Sequence, residues 1–152
     1  MKQPKLIKSV LIVEDDPTYL HLWERLLRDT GIKKCRVIGN AKEAATFLAR
    51  HKVDLLISDV LMTEKNGYEL AKLARKFNPK TEILLTTGYG TDLSRFDLKG
   101  LHCHLLHKPY HDLNSVCLLL KHLIHGEDVF EEMDEDSFSE NIDNPEITEW
   151  TL

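Results

Sequence analysis

The 152-residue chain is 42% hydrophobic, enough for one domain with a packed core and some residues to spare. No apolar run approaches the roughly 18 residues a membrane span needs, and the N-terminus lacks a signal-peptide apolar region, so a cytoplasmic protein without a membrane anchor is expected. The net charge of −5 divides unevenly: residues 1–126 hold all 20 Lys and Arg with 14 of the 25 acids, residues 127–152 hold 11 acids and no base, and no dense basic stripe favours direct nucleic-acid binding. In chain order, Ser9–Val13 is an apolar run that reads as a strand. Asp16 is suited to cap a following helix, and Pro17 to be its first residue. Leu20, Trp23 and Leu27, with Tyr19 and Leu26 beside them, give that helix one apolar face as far as Gly31. Cys35–Gly39 is a short second strand, and Asn40 caps a helix with Ala44, Ala45 and Leu48 inward.

Asp54–Met62 is the stretch around which the rest is arranged. Its continuous apolar run predicts a strand buried on both faces, with Asp59 at the carboxyl end. Asn66-Gly67 is a turn signal. Leu70, Leu73, Ala74 and Phe77 define a third helix, stopped by Asn78-Pro79. Glu82–Thr86 is a fourth strand, residues 92–98 allow only a short helix, and Leu101–Leu106 is a fifth strand. Leu113, Val116, Cys117, Leu120, Leu123 and Ile124 pattern a final helix that ends near Gly126. The strand–helix alternation predicts an α/β fold, a parallel sheet wrapped on both faces with right-handed crossovers. The boundary falls at 126: residues 1–126 form the domain and 127–152 an acidic tail. Cys35, Cys103 and Cys117 are an odd, widely spaced set and read as small buried hydrophobes, not a disulfide frame.

Glu14 and Asp15, Asp59, Thr87 and Lys108 all fall at carboxyl ends of predicted strands, which such a sheet brings together at one edge. A carboxylate there acts as metal ligand, nucleophile or helix cap. Converging carboxylates repel one another, and a hard divalent cation such as Mg²⁺ relieves this with oxygen ligands. A hydroxyl and an ammonium beside them suit phosphate. Together these are the parts of a site for phosphoryl transfer to aspartate. Each alone has a plainer reading: a loop cap, a solvated helix start, a turn threonine, a surface lysine.

Five pieces in this order and spacing are specific: Leu11–Pro17, Asp54–Met62, Asn66-Gly67, Leu84–Gly88 and Lys108-Pro109. Over residues 8–125 the chain resembles the receiver domain of two-component response regulators, and a stand-alone receiver is expected. The resemblance implies a flavodoxin-like (βα)5 doubly wound sandwich with a five-stranded parallel sheet. It implies Asp59 as phosphoacceptor, Mg²⁺ on Asp15 and Asp59 with help from Glu14 and the Leu61 carbonyl, and Thr87 and Lys108 as phosphoryl contacts. Pro109 would follow a cis peptide bond. The implied partners are a sensor histidine kinase or phosphotransfer protein and a downstream protein target. The implied chemistry is limited to the chain's own aspartyl phosphorylation and dephosphorylation, so no turnover enzyme is expected.

Where many receivers have Tyr or Phe, three residues before the lysine, this chain has Leu105. An aliphatic side chain cannot repeat that ring rotation. This keeps open a phosphorylation-independent binding module. A magnesium-dependent phosphohydrolase is disfavoured because Leu61 stands where a second acid would activate water. His102 and His104 are expected on one strand face, followed by His107 and His111; a structural or surface role is preferred to a zinc site. The tail mixes acids with isolated apolar residues. It is either a solubilising segment without fixed structure or one that orders on a partner or on the basic body.

Overall fold

A computed structural model describes residues 7–61, 66–88, 91–108, 110, 112–125 and the backbone of 147–148. Its elements are β1 (Ser9–Val13), α1 (Pro17–Arg28), β2 (Lys34–Ile38), α2 (Ala41–Arg50), β3 (Leu55–Asp59), α3 (Gly67–Phe77), β4 (Glu82–Thr87), α4 (Leu98–Leu101), β5 (His104–His107), α5 (Leu113–His125) and β6 (Ile147–Thr148). The sheet order is β2-β1-β3-β4-β5-β6. The first five strands are parallel, and β6 adds antiparallel to the β5 edge, with Leu105 opposite Thr148 and Leu106 opposite Ile147. The predicted five-stranded parallel sheet is therefore present, extended by a strand from within the acidic tail. Position 109 and the peptide bond before it lie outside the described residues, as do positions 62–65 and 111.

Helix starts follow local chemistry. The Asp16 carboxylate accepts from Thr18 N at 2.9 Å, Asn40 Oδ1 from Glu43 N at 2.8 Å, and Asn66 Oδ1 from Glu69 N at 2.8 Å. Each cap satisfies a donor that the helix itself leaves open. Asn66-Gly67 is thus a helix start and not a hairpin-type turn.

Strand alternation divides the core. Leu11, Val13, Leu56, Ile83, Leu85 and Leu105 face α2, α3 and α4, where Leu48, Leu70, Ala74 and Leu101 meet them. Val10, Ile12, Leu55, Ile57, Leu84 and Leu106 face α1 and α5, against Trp23, Leu27, Val116 and Leu120. Each fully buried Leu or Ile contributes about 1.5–3 kcal/mol relative to exposure, so both layers are needed to clamp the sheet.

Some local expectations are corrected. Phe77 and Leu113 are 50% and 43% exposed, because each sits at a helix end beyond the sheet that its face would cover. Cys35 is exposed on edge strand β2, whereas Cys103 is buried. The fifth strand starts at His104, not Leu101, since Leu98–Leu101 is α4. His102 ends that helix in the left-handed conformation (φ 55°), so it does not share a strand face with His104.

Candidate functional site

The order reverses between β1 and β3: the chain passes from β1 out to β2 and then returns to the other side of β1. The carboxyl ends at such a switch point leave a crevice. Register sets its depth. Val13 pairs with Ser58, Asp59 with Thr86, and Thr87 with His107, so Glu14, Asp59, Thr87 and Lys108 stand at adjoining strand ends. Backbone bonds tie the rim together: Glu14 N to Ile38 O at 3.2 Å, Val60 N to Thr86 O at 2.8 Å, and Lys108 N to Thr87 O at 2.7 Å.

Glu14 is 1% exposed, yet it is ionisable. Its partner comes from 94 residues away. Lys108 Nζ donates to both Glu14 carboxylate oxygens at 2.9 Å and to Asp59 Oδ2 at 3.1 Å. Burial raises the Glu14 pKa above its ordinary value, opposed by the hydrogen bond and charge of Lys108. For Lys108, burial acts to lower the pKa, but the hydrogen bonds and charges of Glu14 and Asp59 outweigh it and hold the ammonium above its ordinary range. A paired buried ammonium of this kind is costly to leave alone and geometrically well held.

Asp15 is exposed beside Glu14. Oxygens of Glu14, Asp15 and Asp59 all lie within 4.8 Å of one another. Three hard oxygen donors on an open crevice fit a hard divalent cation, with remaining positions for water. Leu61 N donates to Asp59 Oδ1 at 3.2 Å, which orients the carboxylate and leaves its other oxygen to Lys108. The Thr87 residue is buried at the rim, and its hydroxyl lies 3.5 Å from the Gly88 carbonyl. Thr86, on the alternate face of β4, points its hydroxyl into the α1–α5 layer near Tyr110. That separation supports choosing Thr87 over Thr86 as the hydroxyl of the crevice.

Two features escaped sequence reasoning. Gly67 N donates to Val60 O at 2.6 Å, and its Cα lies so close to β3 that a Cβ would collide with the Asp59 carbonyl oxygen. Its φ is not in the left-handed region, so close approach and not turn geometry requires glycine here. The second is an aromatic group beside Lys108. The ammonium stands 4.1 Å from the Tyr19 ring centroid. Tyr110 meets Tyr19 edge-on at 5.2 Å and Trp23 edge-on at 5.5 Å. The i, i+4 spacing of Tyr19 and Trp23 was the available signal.

The family model of the response regulator receiver domain matches residues 10–113. The transcriptional regulatory protein CpxR of Escherichia coli (strain K12) is 30% identical over 113 residues, covering 72% of this chain and 47% of that protein. The receiver domain of the hybrid histidine kinase CckA is 27% identical with a TM-score of 0.61, covering 77% of this chain and 99% of that one. The chemotaxis response regulator CheY4 of Vibrio cholerae, 22% identical, shares the fold with a TM-score of 0.63 over 77% of this chain and 98% of that one. The chain spans about half the length, or less, of the first curated relatives it matches.

Proposed function

This chain belongs to the response regulator receiver domain family, and on that premise we propose that it accepts a phosphoryl group onto Asp59 from the phosphohistidine of a sensor histidine kinase or phosphotransfer protein. One observation carries the assignment: a single ammonium, that of Lys108, is bonded at once to buried Glu14 and to Asp59. A lysine so placed already touches the nucleophile and lies where phosphoryl oxygens would arrive.

In the transfer, an Asp59 carboxylate oxygen forms the new O–P bond as the N–P bond of the donor breaks. The electron pair returns to the imidazole, which takes up a proton. Lys108 follows the phosphoryl oxygens from its position on Asp59 Oδ2, and the Thr87 hydroxyl donates to one of them. Glu14, Asp15 and Asp59, with the Leu61 carbonyl, would hold Mg²⁺, which supplies positive charge for the carboxylates and the transferring group. The chemistry is confined to this aspartate, with no turnover of a small substrate. The phosphorylated form then biases the β4 and β5 loops and α4 toward a surface that a downstream protein reads. Among the described residues no helix is long and apolar enough to cross a membrane, which accords with action in the cytoplasm.

The test is intact mass spectrometry after incubation with Mg²⁺ and acetyl phosphate, with Asp59→Asn in parallel. A single phosphoryl adduct that requires Mg²⁺ and is missing from the variant is expected. If neither acetyl phosphate nor a phosphohistidine donor labels the folded protein, the assignment fails.

A second reading rests on Leu105. It is 1% exposed and packed with Leu98, Leu101 and Cys103, leaving no ring to swing. A binding module indifferent to phosphorylation would bind its target equally well as wild type and as Asp59→Asn.

A further inference from the structure

Lys108 is held by two kinds of contact. Its carboxylate contacts, Glu14 and Asp59, are themselves placed to bind a cation or to be modified. Any event at the site therefore changes what those oxygens offer the ammonium. The Tyr19 face is different. It attracts the ammonium through the ring quadrupole, carries no charge, and competes for neither metal nor phosphoryl group.

The ring is also built in. Tyr19 lies in the first turn of α1 and is half-buried. Tyr110, two residues after Lys108, packs against it in a T-shaped contact at an interplanar angle of 79°. Tyr110 in turn abuts Trp23 at 68°, and the Trp23 side chain is wholly inside the α1–α5 layer. The Tyr110 hydroxyl is buried near Thr86 and Trp23 without closing a hydrogen bond of ordinary geometry to either. Tyr110 is thus placed by packing, and its contact with Tyr19 braces the ring that the ammonium meets. A lysine stem has four rotatable carbons, so an ammonium without a cap samples many positions. With Glu14, Asp59 and the Tyr19 ring all in contact, it samples few.

We propose that Tyr19 is a positioning residue for Lys108: its ring keeps the ammonium within reach of Asp59 while the carboxylate contacts of the lysine exchange. The proposal rests on Asp59 as phosphoacceptor. It assigns α1 a part in the chemistry that no strand-end motif carries.

The experiment compares wild type, Tyr19→Phe, Tyr19→Leu and Tyr19→Met. Phe keeps the ring face, and Leu and Met keep bulk without it. Melting curves establish which variants fold, Met being the second choice if Leu does not. The rate constant of Asp59 phosphorylation by acetyl phosphate with Mg²⁺ is measured on each. Tyr19→Phe is expected within about twofold of wild type, and the aliphatic variants slower by about three- to tenfold. A packing role alone would not be rescued by Phe and lost with Leu and Met at equal stability. In parallel, NMR reads the Lys108 ε-methylene protons. Ring current should shift them upfield in wild type and Tyr19→Phe but not in the aliphatic variants. A wild-type rate in a folded aliphatic variant overturns the proposal, and so does an unshifted Lys108 resonance in wild type. If the upfield shift is present but wild type takes no phosphoryl group, the contact stands. The phosphoacceptor reading then falls, and the positioning role falls with it.

Discussion

Replacing Gly67 by alanine puts one methyl group into the tightest backbone approach at the site. That Cβ would overlap the Asp59 carbonyl oxygen and stand 2.7 Å from Ser58 Oγ and 2.8 Å from the Asp59 carbonyl carbon. Favourable carbon contacts begin near ~3.5 Å. Ser58 can rotate away, but the Asp59 peptide is tied into the β3–β4 ladder through its pairing with Thr86. Either α3 backs off from β3 or the peptide twists. Both strain the 2.6 Å bond from Gly67 N to Val60 O. Overpacking costs about 1–3 kcal/mol, and backbone cannot yield as a flexible side chain does, which favours the upper part of that range. Weakening the hydrogen bond adds up to about 1 kcal/mol. Against this, Gly→Ala reduces the freedom of the unfolded chain and returns about 0.4–1 kcal/mol. The net expectation is a loss of about 2–3 kcal/mol, or a fall in Tm of about 6–12 °C for a domain of this size. Phosphorylation of Asp59 should slow as well, because the displaced peptide carries the nucleophile. Gly39→Ala is the control: nothing lies within 4 Å of its Cβ position and its φ is not left-handed. Its stability should stay within about 1 kcal/mol of wild type. Thermal and urea denaturation, with acetyl phosphate labelling, read both effects. A Gly67→Ala protein that melts and labels like wild type would refute the close-approach argument.

Lys108→Met leaves Glu14 buried beside two other carboxylates, so stability at pH 7 should fall by about 3–5 kcal/mol in the absence of divalent cation. The loss should shrink on adding Mg²⁺, and also as pH falls through the raised Glu14 pKa, since the protonated acid needs no partner. Urea titrations at several pH values check this, and an unchanged midpoint would count against the pairing. His107 is partly buried and its pKa is lowered by burial, with no hydrogen-bond partner for its buried Nδ1. The unfolded chain therefore binds a proton that the folded chain refuses. This stability is intact above about pH 6.5 and is lost as pH falls below it, at no more than about 1.4 kcal/mol per pH unit. His107→Asn should flatten that slope between pH 7 and 5; an unaltered slope would assign the acid sensitivity elsewhere. Deleting residues 127–152 removes β6, which pairs only two residues with β5. Tm should move by no more than about 2–4 °C, near 1 kcal/mol, while amide exchange at Leu105 and Leu106 quickens. Unchanged exchange would mean that the tail does not protect this edge in solution.

The elements that sequence alone determined are those built from short-range forces. Apolar runs ending in Glu14 and Asp59 specify buried parallel strands, and Asp16 and Asn40 cap their helices through donors two or three residues away. Given strand and helix alternation, chirality and twist bring strand ends to one edge, so Asp59, Thr87 and Lys108 were legible as neighbours before any coordinate. Tertiary structure decided what depends on distances between remote surfaces. Glycine at position 67 reads as a turn residue until α3 is seen against the Asp59 carbonyl. Leu101–Leu106 has one continuous strand-like pattern, but Leu98–Leu101 gains more by covering the α2–α4 layer as a helix, and His102 takes the left-handed turn between the two. Cys35 is apolar enough for a core, yet β2 is the sheet edge and leaves it exposed. The tail composition predicts no strand, whereas the open hydrogen-bonding edge of β5 accepts one at Ile147–Thr148. Tyr19 reads as one more apolar residue of α1. Only the packing of Tyr110 and Trp23 turns its face to Lys108, because an aromatic ring's direction is set by its neighbours and not by its place in the chain.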